Sequence, residues 1–120
     1  MSTATTSKSF EDLQVWKKAH SFVLEVYKVT RSFPKEELYG LISQFRRAAV
    51  SIPANLAEGF VKRGIADKLR FYNISQGSLE ECRYYSILSR DLGYTTEESL
   101  MNKIDEISRM LNSYISKVKQ

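Results

Sequence analysis

The sequence predicts an all-α fold, an antiparallel up-down-up-down four-helix bundle. Three observations predict it. Apolar residues return every three or four positions in four successive stretches, turn signals separate those stretches at Phe33-Pro34, Gly64 and Gly93, and no run of alternating apolar and polar residues suggests a strand. Short turns between long helices force neighbours to run antiparallel.

Residues 1–8 are rich in Ser and Thr and, after Met1, hold no large apolar side chain, so they read as a flexible N-terminal tail before a bundle domain spanning 9–120. Ser9, followed by Glu11 and Asp12, has the character of a helix start: a capping hydroxyl with acidic residues in the first turn. From there Val15, Trp16, Ala19, Phe22, Val23, Val26 and Tyr27 form one apolar stripe, which predicts a first helix to about Ser32.

Phe33-Pro34 stops that helix, because proline disfavours helical geometry in the residue before it, and Pro34 suits a new first turn. The second helix is predicted to run to about Lys62, with Leu38, Leu41, Ile42, Phe45, Ala49, Ile52 and Leu56 on its core face. Pro53 lies inside it and predicts a bend, since its missing N–H leaves the carbonyl of Ala49 without a helical donor.

A third helix is predicted over Ala66 to Leu92, closed by Gly93. Its apolar face is read as Phe71, Ile74, Cys82, Tyr85 and Leu92, with Ser78 and Glu81 on the same side. Leu69, Tyr72, Leu79, Tyr84 and Ile87 decorate the opposite side. Thr95 and Glu98 have capping-box spacing and predict the start of a fourth helix, whose narrow stripe is Leu100, Ile104, Ile107, Leu111, Tyr114, Ile115 and Val118.

At 120 residues the chain fits one domain that needs no staple, and its 42% hydrophobic and 27% charged residues are those of a globular protein. No apolar run approaches the roughly 20 residues that span a bilayer, and the N-terminus lacks a signal-peptide pattern, so a cytoplasmic protein without membrane partners is expected. The single cysteine, Cys82, has no partner for an intramolecular disulfide. A net charge of +4 is mildly basic: it permits nucleic-acid binding without requiring it.

The chemistry of an active site is missing. Di-metal bundles need Glu-x-x-His on two helices, whereas this chain has His20 alone, and His20 with Cys82 is too few ligands for a closed zinc site. There is no phosphate-cradling glycine loop, nucleophile elbow or HExxH. The adjacent pairs Glu80-Glu81 and Glu97-Glu98 project about 100° apart on a helix and share no site by adjacency. The expectation is therefore no catalytic residue, metal, cofactor or small-molecule substrate.

Two features exceed what a core needs. On the second helix Glu37, Gln44, Arg47, Ser51, Asn55, Glu58 and Lys62 recur at steps of three, four or seven and make a continuous polar line. Ser51 and Asn55 are poor helix formers, so a packed contact or partner surface suits them better than plain solvation. On the third helix Glu81 shares the apolar face: either it is buried and meets Arg46, Arg47 or backbone donors of the second helix, or it sits at the edge of that face and reaches water. The two-sided third helix also holds more apolar surface than one bundle covers, which predicts a homo-oligomer. Lys17, Lys18, Lys28, Arg31, Lys62, Arg63, Lys68, Arg70, Lys117 and Lys119 are the candidate phosphate contacts.

Three passages carry a family resemblance: Phe10 to Trp16 (FEDLQVW), Phe33-Pro34 with the run from Glu37 to Gly59 (ELYGLISQFRRAAVSIPANLAEG), and Gly77 to Glu81 (GSLEE). Together they resemble the bacterial four-helix-bundle proteins encoded by intervening sequences inside 23S ribosomal RNA genes, also labelled ribosomal-protein-like. The resemblance implies a homopentameric barrel and a distant similarity to accessory proteins of diversity-generating retroelements, which bind nucleic acid and a reverse transcriptase. It marks Gln44, Arg47, Ser51, Pro53, Asn55, Glu58, Gly59, Ser78 and Glu81, while the chain lacks the strongly basic character of the retroelement proteins.

The function expected is a non-enzymatic oligomeric scaffold for structured RNA or a nucleic-acid-processing partner. The alternative is a protein-protein interaction module without nucleic-acid binding, and an enzyme using Glu58 or Glu81 finds no supporting nucleophile or cofactor motif.

Overall fold

The computed structural model describes residues 7–96 and 98–120. Four helices account for most of them: α1 Gln14–Thr30, α2 Ser43–Val61, α3 Ile65–Asp91 and α4 Ser99–Lys119. They form an antiparallel bundle measuring 52 × 25 × 19 Å, with no strand among the described residues. The expected tail lies largely in residues 1–6, outside the described ones.

The Ser9 signal operates, but on a shorter element. The Ser9 hydroxyl accepts the Glu11 N–H at 3.1 Å and the Asp12 carboxylate accepts the Ser9 N–H at 3.2 Å, closing a 3-10 turn at Phe10–Asp12. Leu13 is then extended (φ −75°, ψ 126°) and buries its side chain, so α1 starts at Gln14 rather than Ser9. Phe10 folds back edge-on to Trp16, with ring centroids 5.1 Å apart.

Past Pro34 the chain takes a 3-10 turn at Lys35–Glu37 and a π-turn at Leu38–Ile42 before α2 begins. Gly40 leaves helical geometry (φ −112°, ψ −109°) where the Glu37 carboxylate captures the Leu41 N–H at 3.3 Å. From Ser43 onward α2 runs without interruption through the buried Pro53, so the irregular backbone of this segment is at Gly40. The π-turn also swings Leu38 outward, leaving it 48% exposed where the periodicity expects core; Tyr27 on α1 is likewise an edge residue.

α3 ends as its glycine predicts. Gly93 has φ +77°, the Tyr94 N–H donates to the Ser89 carbonyl at 2.9 Å and the Gly93 N–H to the Arg90 carbonyl at 3.0 Å, a Schellman closure. α4 starts at Ser99, not Thr95, with Glu98 at the capping position and no side-chain cap; Glu97 lies outside the described residues. The connection instead anchors through Tyr94, whose hydroxyl donates to Glu37 at 2.8 Å and whose ring packs 5.4 Å from Phe33.

Phe22 and Val26 of α1, Phe45, Ile52 and Leu56 of α2, and Leu100, Ile104, Ile107 and Leu111 of α4 fill the core as expected. The face of α3 is different. Its buried residues are Tyr72, Ser75, Ser78, Leu79, Cys82, Ser86 and Ser89, whereas Ile74 and Leu92 are exposed. Small polar side chains thus share the buried face with Tyr72 and Leu79, which the periodicity assigns to the opposite side, while Ile74 and Leu92 lie outside it. The small size of the serines lets α2 and α3 pack closely.

Candidate functional site

The polar line of α2 faces α3 for much of its length. The Ser78 hydroxyl donates to the Ser51 hydroxyl at 2.8 Å, and the Asn55 amide donates to the Ser51 carbonyl and hydroxyl at 2.8 and 2.9 Å. One turn along, Ser75 donates to the Ile52 carbonyl at 2.9 Å. Ser51, Asn55 and Ser78 are therefore joined within one chain, each satisfying polar groups that a tightly packed seam would otherwise strand.

Toward the other end of the seam the line reaches solvent. Gln44, Arg47, Ser51, Glu81 and Tyr85 border an open basin of about 260 Å³, with the Tyr85 hydroxyl donating to Gln44 at 3.1 Å. Glu81 is exposed and makes no ion pair with Arg46 or Arg47, so of its two expected placements it takes the solvent edge and not the buried pairing. Its position on the rim of α3 keeps the carboxylate in water, so no partner is required. Arg46 turns to α1 instead, donating to Thr30 Oγ1 at 2.9 Å and lying 4.5 Å over the Tyr27 ring. Glu58 pairs with Lys62 at 3.9 Å on the surface.

A larger feature escapes the sequence pattern. Between α1 and the start of α2 runs a groove of about 700 Å³ bordered by Tyr27, Leu38, Tyr39, Arg46, Arg47 and Val50. Tyr39 is 92% exposed, and Leu38 and Val50 are exposed beside it. The signal available in the sequence was the adjacent Leu38 and Tyr39 ahead of Gly40, but a regular helix would have turned Leu38 into the core.

The candidate phosphate contacts separate into two groups. Lys68 caps the end of α2, donating to the carbonyls of Gly59 and Phe60 at 3.2 and 2.8 Å, and burial lowers its pKa. Lys18 pairs with Glu106 at 3.5 Å; Arg70 pairs with Asp67 at 3.8 Å and lies over the Phe71 ring, as Lys62 does. Lys17, Lys28, Arg31, Arg63, Lys117 and Lys119 are exposed and enter no ion pair among the described residues.

Cys82 is fully buried, and burial with the nearby Glu81 charge pushes its thiol well above the usual range, away from the thiolate a nucleophile needs. Among the described residues no three His, Cys, Asp or Glu side chains cluster as a metal would require, and no helix is long and apolar enough to cross a membrane.

Residues 11–113 match the model of the 23S rRNA-intervening sequence protein family. This chain belongs to that family. The family fold is visible in a crystal structure of a protein of unknown function from the S23 ribosomal protein family of Bacteroides thetaiotaomicron. That protein is 26% identical, superposes with a TM-score of 0.78, and is matched over 85% of this chain and 95% of its own. No curated protein matches the chain. The matched segment takes in the polar seam, the groove, α1 to α3 and α4 as far as Ser113.

Proposed function

We propose that the chain is a non-enzymatic scaffold that assembles with further copies of itself, five to a ring, and offers the assembled basic surface to structured RNA or to a nucleic-acid-processing protein. The observation that carries the assembly is the groove between α1 and α2, where Tyr39, Leu38 and Val50 stand exposed together. Such contiguous apolar surface is uncommon on a monomer and favours coverage by a partner.

The charge at the groove bears on the symmetry. A twofold contact across the groove would bring the Arg46 and Arg47 pairs of both copies into one interface, whereas a head-to-tail contact brings a different face to them and generates a ring where its rotation closes. The non-enzymatic reading is supported by the buried thiol of Cys82 and by the use of Ser51, Asn55 and Ser78 in structural hydrogen bonds. The exposed, unpaired Lys17, Arg63, Lys117 and Lys119 support the RNA side.

Size-exclusion chromatography with light scattering tests assembly: a pentamer mass is expected, and a monomer at micromolar concentration removes the proposal. For RNA, retention of a labelled stem-loop should weaken steeply with salt. Capture of a protein partner that survives nuclease treatment, with no RNA retention, would favour the interaction module instead.

A further inference from the structure

The antiparallel order of the helices gathers four chain segments at each end of the bundle. The start of α1, the α2–α3 turn and the end of α4 meet at one end, as shown by Lys68 on the last carbonyls of α2 and by the 3.2 Å contact between the Tyr72 and Tyr114 hydroxyls. The end of α1, the start of α2, the end of α3 and the approach to α4 meet at the other, joined by the Tyr94 to Glu37 bond.

Dividing each helix at its midpoint exposes a charge asymmetry that the net charge conceals. The half built from residues 7–22, 51–77 and 110–120 holds nine basic residues against four acidic ones. The half built from residues 23–50 and 78–109 holds nine of each among the described residues. The positive surplus of the chain therefore sits at one end of a rod 52 Å long.

Ion pairs leave basic residues unpaired in both halves, but in the neutral half Lys28, Arg31, Lys35, Arg47 and Arg109 are offset by the exposed Glu36, Glu81 and Glu98. At the basic end Glu58 and Asp67 are engaged with Lys62 and Arg70, and Asp12 accepts the backbone N–H groups of Lys8 and Ser9. Lys17, Arg63, Lys117 and Lys119 remain exposed around this end without an ion pair. The large exposed apolar side chains are distributed the opposite way: Leu24, Tyr27, Leu38, Tyr39, Val50, Tyr84 and Leu92 lie in the neutral half, against Val61, Ile65 and Ile74 in the basic one.

We infer that the end of the bundle formed by the α2–α3 turn and the chain termini is the docking surface for RNA phosphates, while self-assembly uses the opposite half. This rests on the proposed RNA-binding scaffold and assigns its two contacts to different ends. Local concentration of positive charge is what a polyanion senses, since each neutralised phosphate releases a condensed counterion. Parallel copies in a ring would place their basic ends on one rim, so a surplus of five per subunit accumulates there and not on the barrel wall. Lys28 and Arg31, candidate contacts by sequence, belong to the neutral half and fall outside this surface.

The test compares two triple variants of equal net charge. Lys17→Gln, Arg63→Gln and Lys119→Gln remove three charges from the basic end, and Lys28→Gln, Arg31→Gln and Lys35→Gln remove three from the other. Binding of a labelled stem-loop RNA is measured against salt, with light scattering on each protein. The basic-end triple should keep the parental mass, bind about tenfold to a hundredfold more weakly at low salt and show a log–log salt slope shallower by about three. The other triple should bind as the parent does. Equal losses in both triples overturn the assignment to one end while leaving RNA binding intact. A parent that retains no RNA even at low salt overturns the RNA reading itself, and this inference with it.

Discussion

Gly59 of α2 lies against the ring of Tyr72 on α3 so closely that a Cβ on the glycine would stand 2.5 Å from ring atom Cε1. Both residues are buried, and Tyr72 is held from its far side by the hydroxyl of Tyr114. The contact ties α2, α3 and α4 together at the end where the basic residues gather.

Gly59→Ala should therefore destabilise the fold despite the better helix propensity of alanine. Moving the ring or parting the helices costs about 1–3 kcal/mol, more than the roughly 1 kcal/mol that alanine contributes in a helix interior. Urea denaturation measures it; a variant as stable as the parent would mean that the ring yields freely.

Ile52 and Val50 are two positions apart on α2 and have opposite environments. Ile52 is fully buried and Val50 is exposed at the groove. Ile52→Ala should cost about 2–5 kcal/mol, and Val50→Ala under about 0.5 kcal/mol in the isolated chain. Similar losses at both positions in denaturant titration would contradict the orientation of α2.

Gly93 holds φ +77° in the closure of α3, with open space where a Cβ would be. The cost of a side chain there is conformational, so Gly93→Ala should lose about 1–2 kcal/mol and Gly93→Asn less, because asparagine tolerates the left-handed region. Thermal unfolding of the two variants gives the order, and alanine outranking asparagine would count against the closure.

Asp12 accepts the N–H groups of Lys8 and Ser9, and these hold its carboxyl below the ordinary value of 3.8. A folded pKa below the unfolded one means that the contribution is present above that ordinary value and is lost as pH falls through the folded pKa. Acidification should release the N-terminal turn, read from the amide shifts of Ser9 and Glu11 by NMR, and Asp12→Asn should remove that pH response. Unchanged shifts below about pH 4 would show that the cap is not formed.

Much of the architecture was legible before any coordinates. The periods of α1, α2 and α4 placed Phe22, Val26, Phe45, Ile52, Leu56, Ile104 and Leu111 inside because large apolar side chains dominate those faces. α3 misleads the same reasoning, since besides Tyr72, Leu79 and Cys82 its buried face is carried by Ser75, Ser78, Ser86 and Ser89, which hydropathy ranks beside surface residues. The true face is therefore rotated from the one the large side chains suggest, and Glu81 lies outside it in solvent. α1 starts at Gln14 because the Ser9 cap closes a separate 3-10 turn and the buried Leu13 is extended, and α4 starts at Ser99 after Tyr94 is anchored on Glu37.

By itself the sequence determined four amphipathic helices, their antiparallel order and the glycine that closes the third, because each depends on residues within a few positions of one another. Only the tertiary structure decided that the polar line of α2 meets α3 around Ser51 and opens to solvent at Gln44, Arg47 and Glu58, that Leu38 and Tyr39 open a groove, and that basic residues scattered along the chain converge on one end. The physical reason is distance: Ser51 meets Ser78, and Lys17, Arg63 and Lys119 come to the same end of the bundle, through packing that no local pattern encodes.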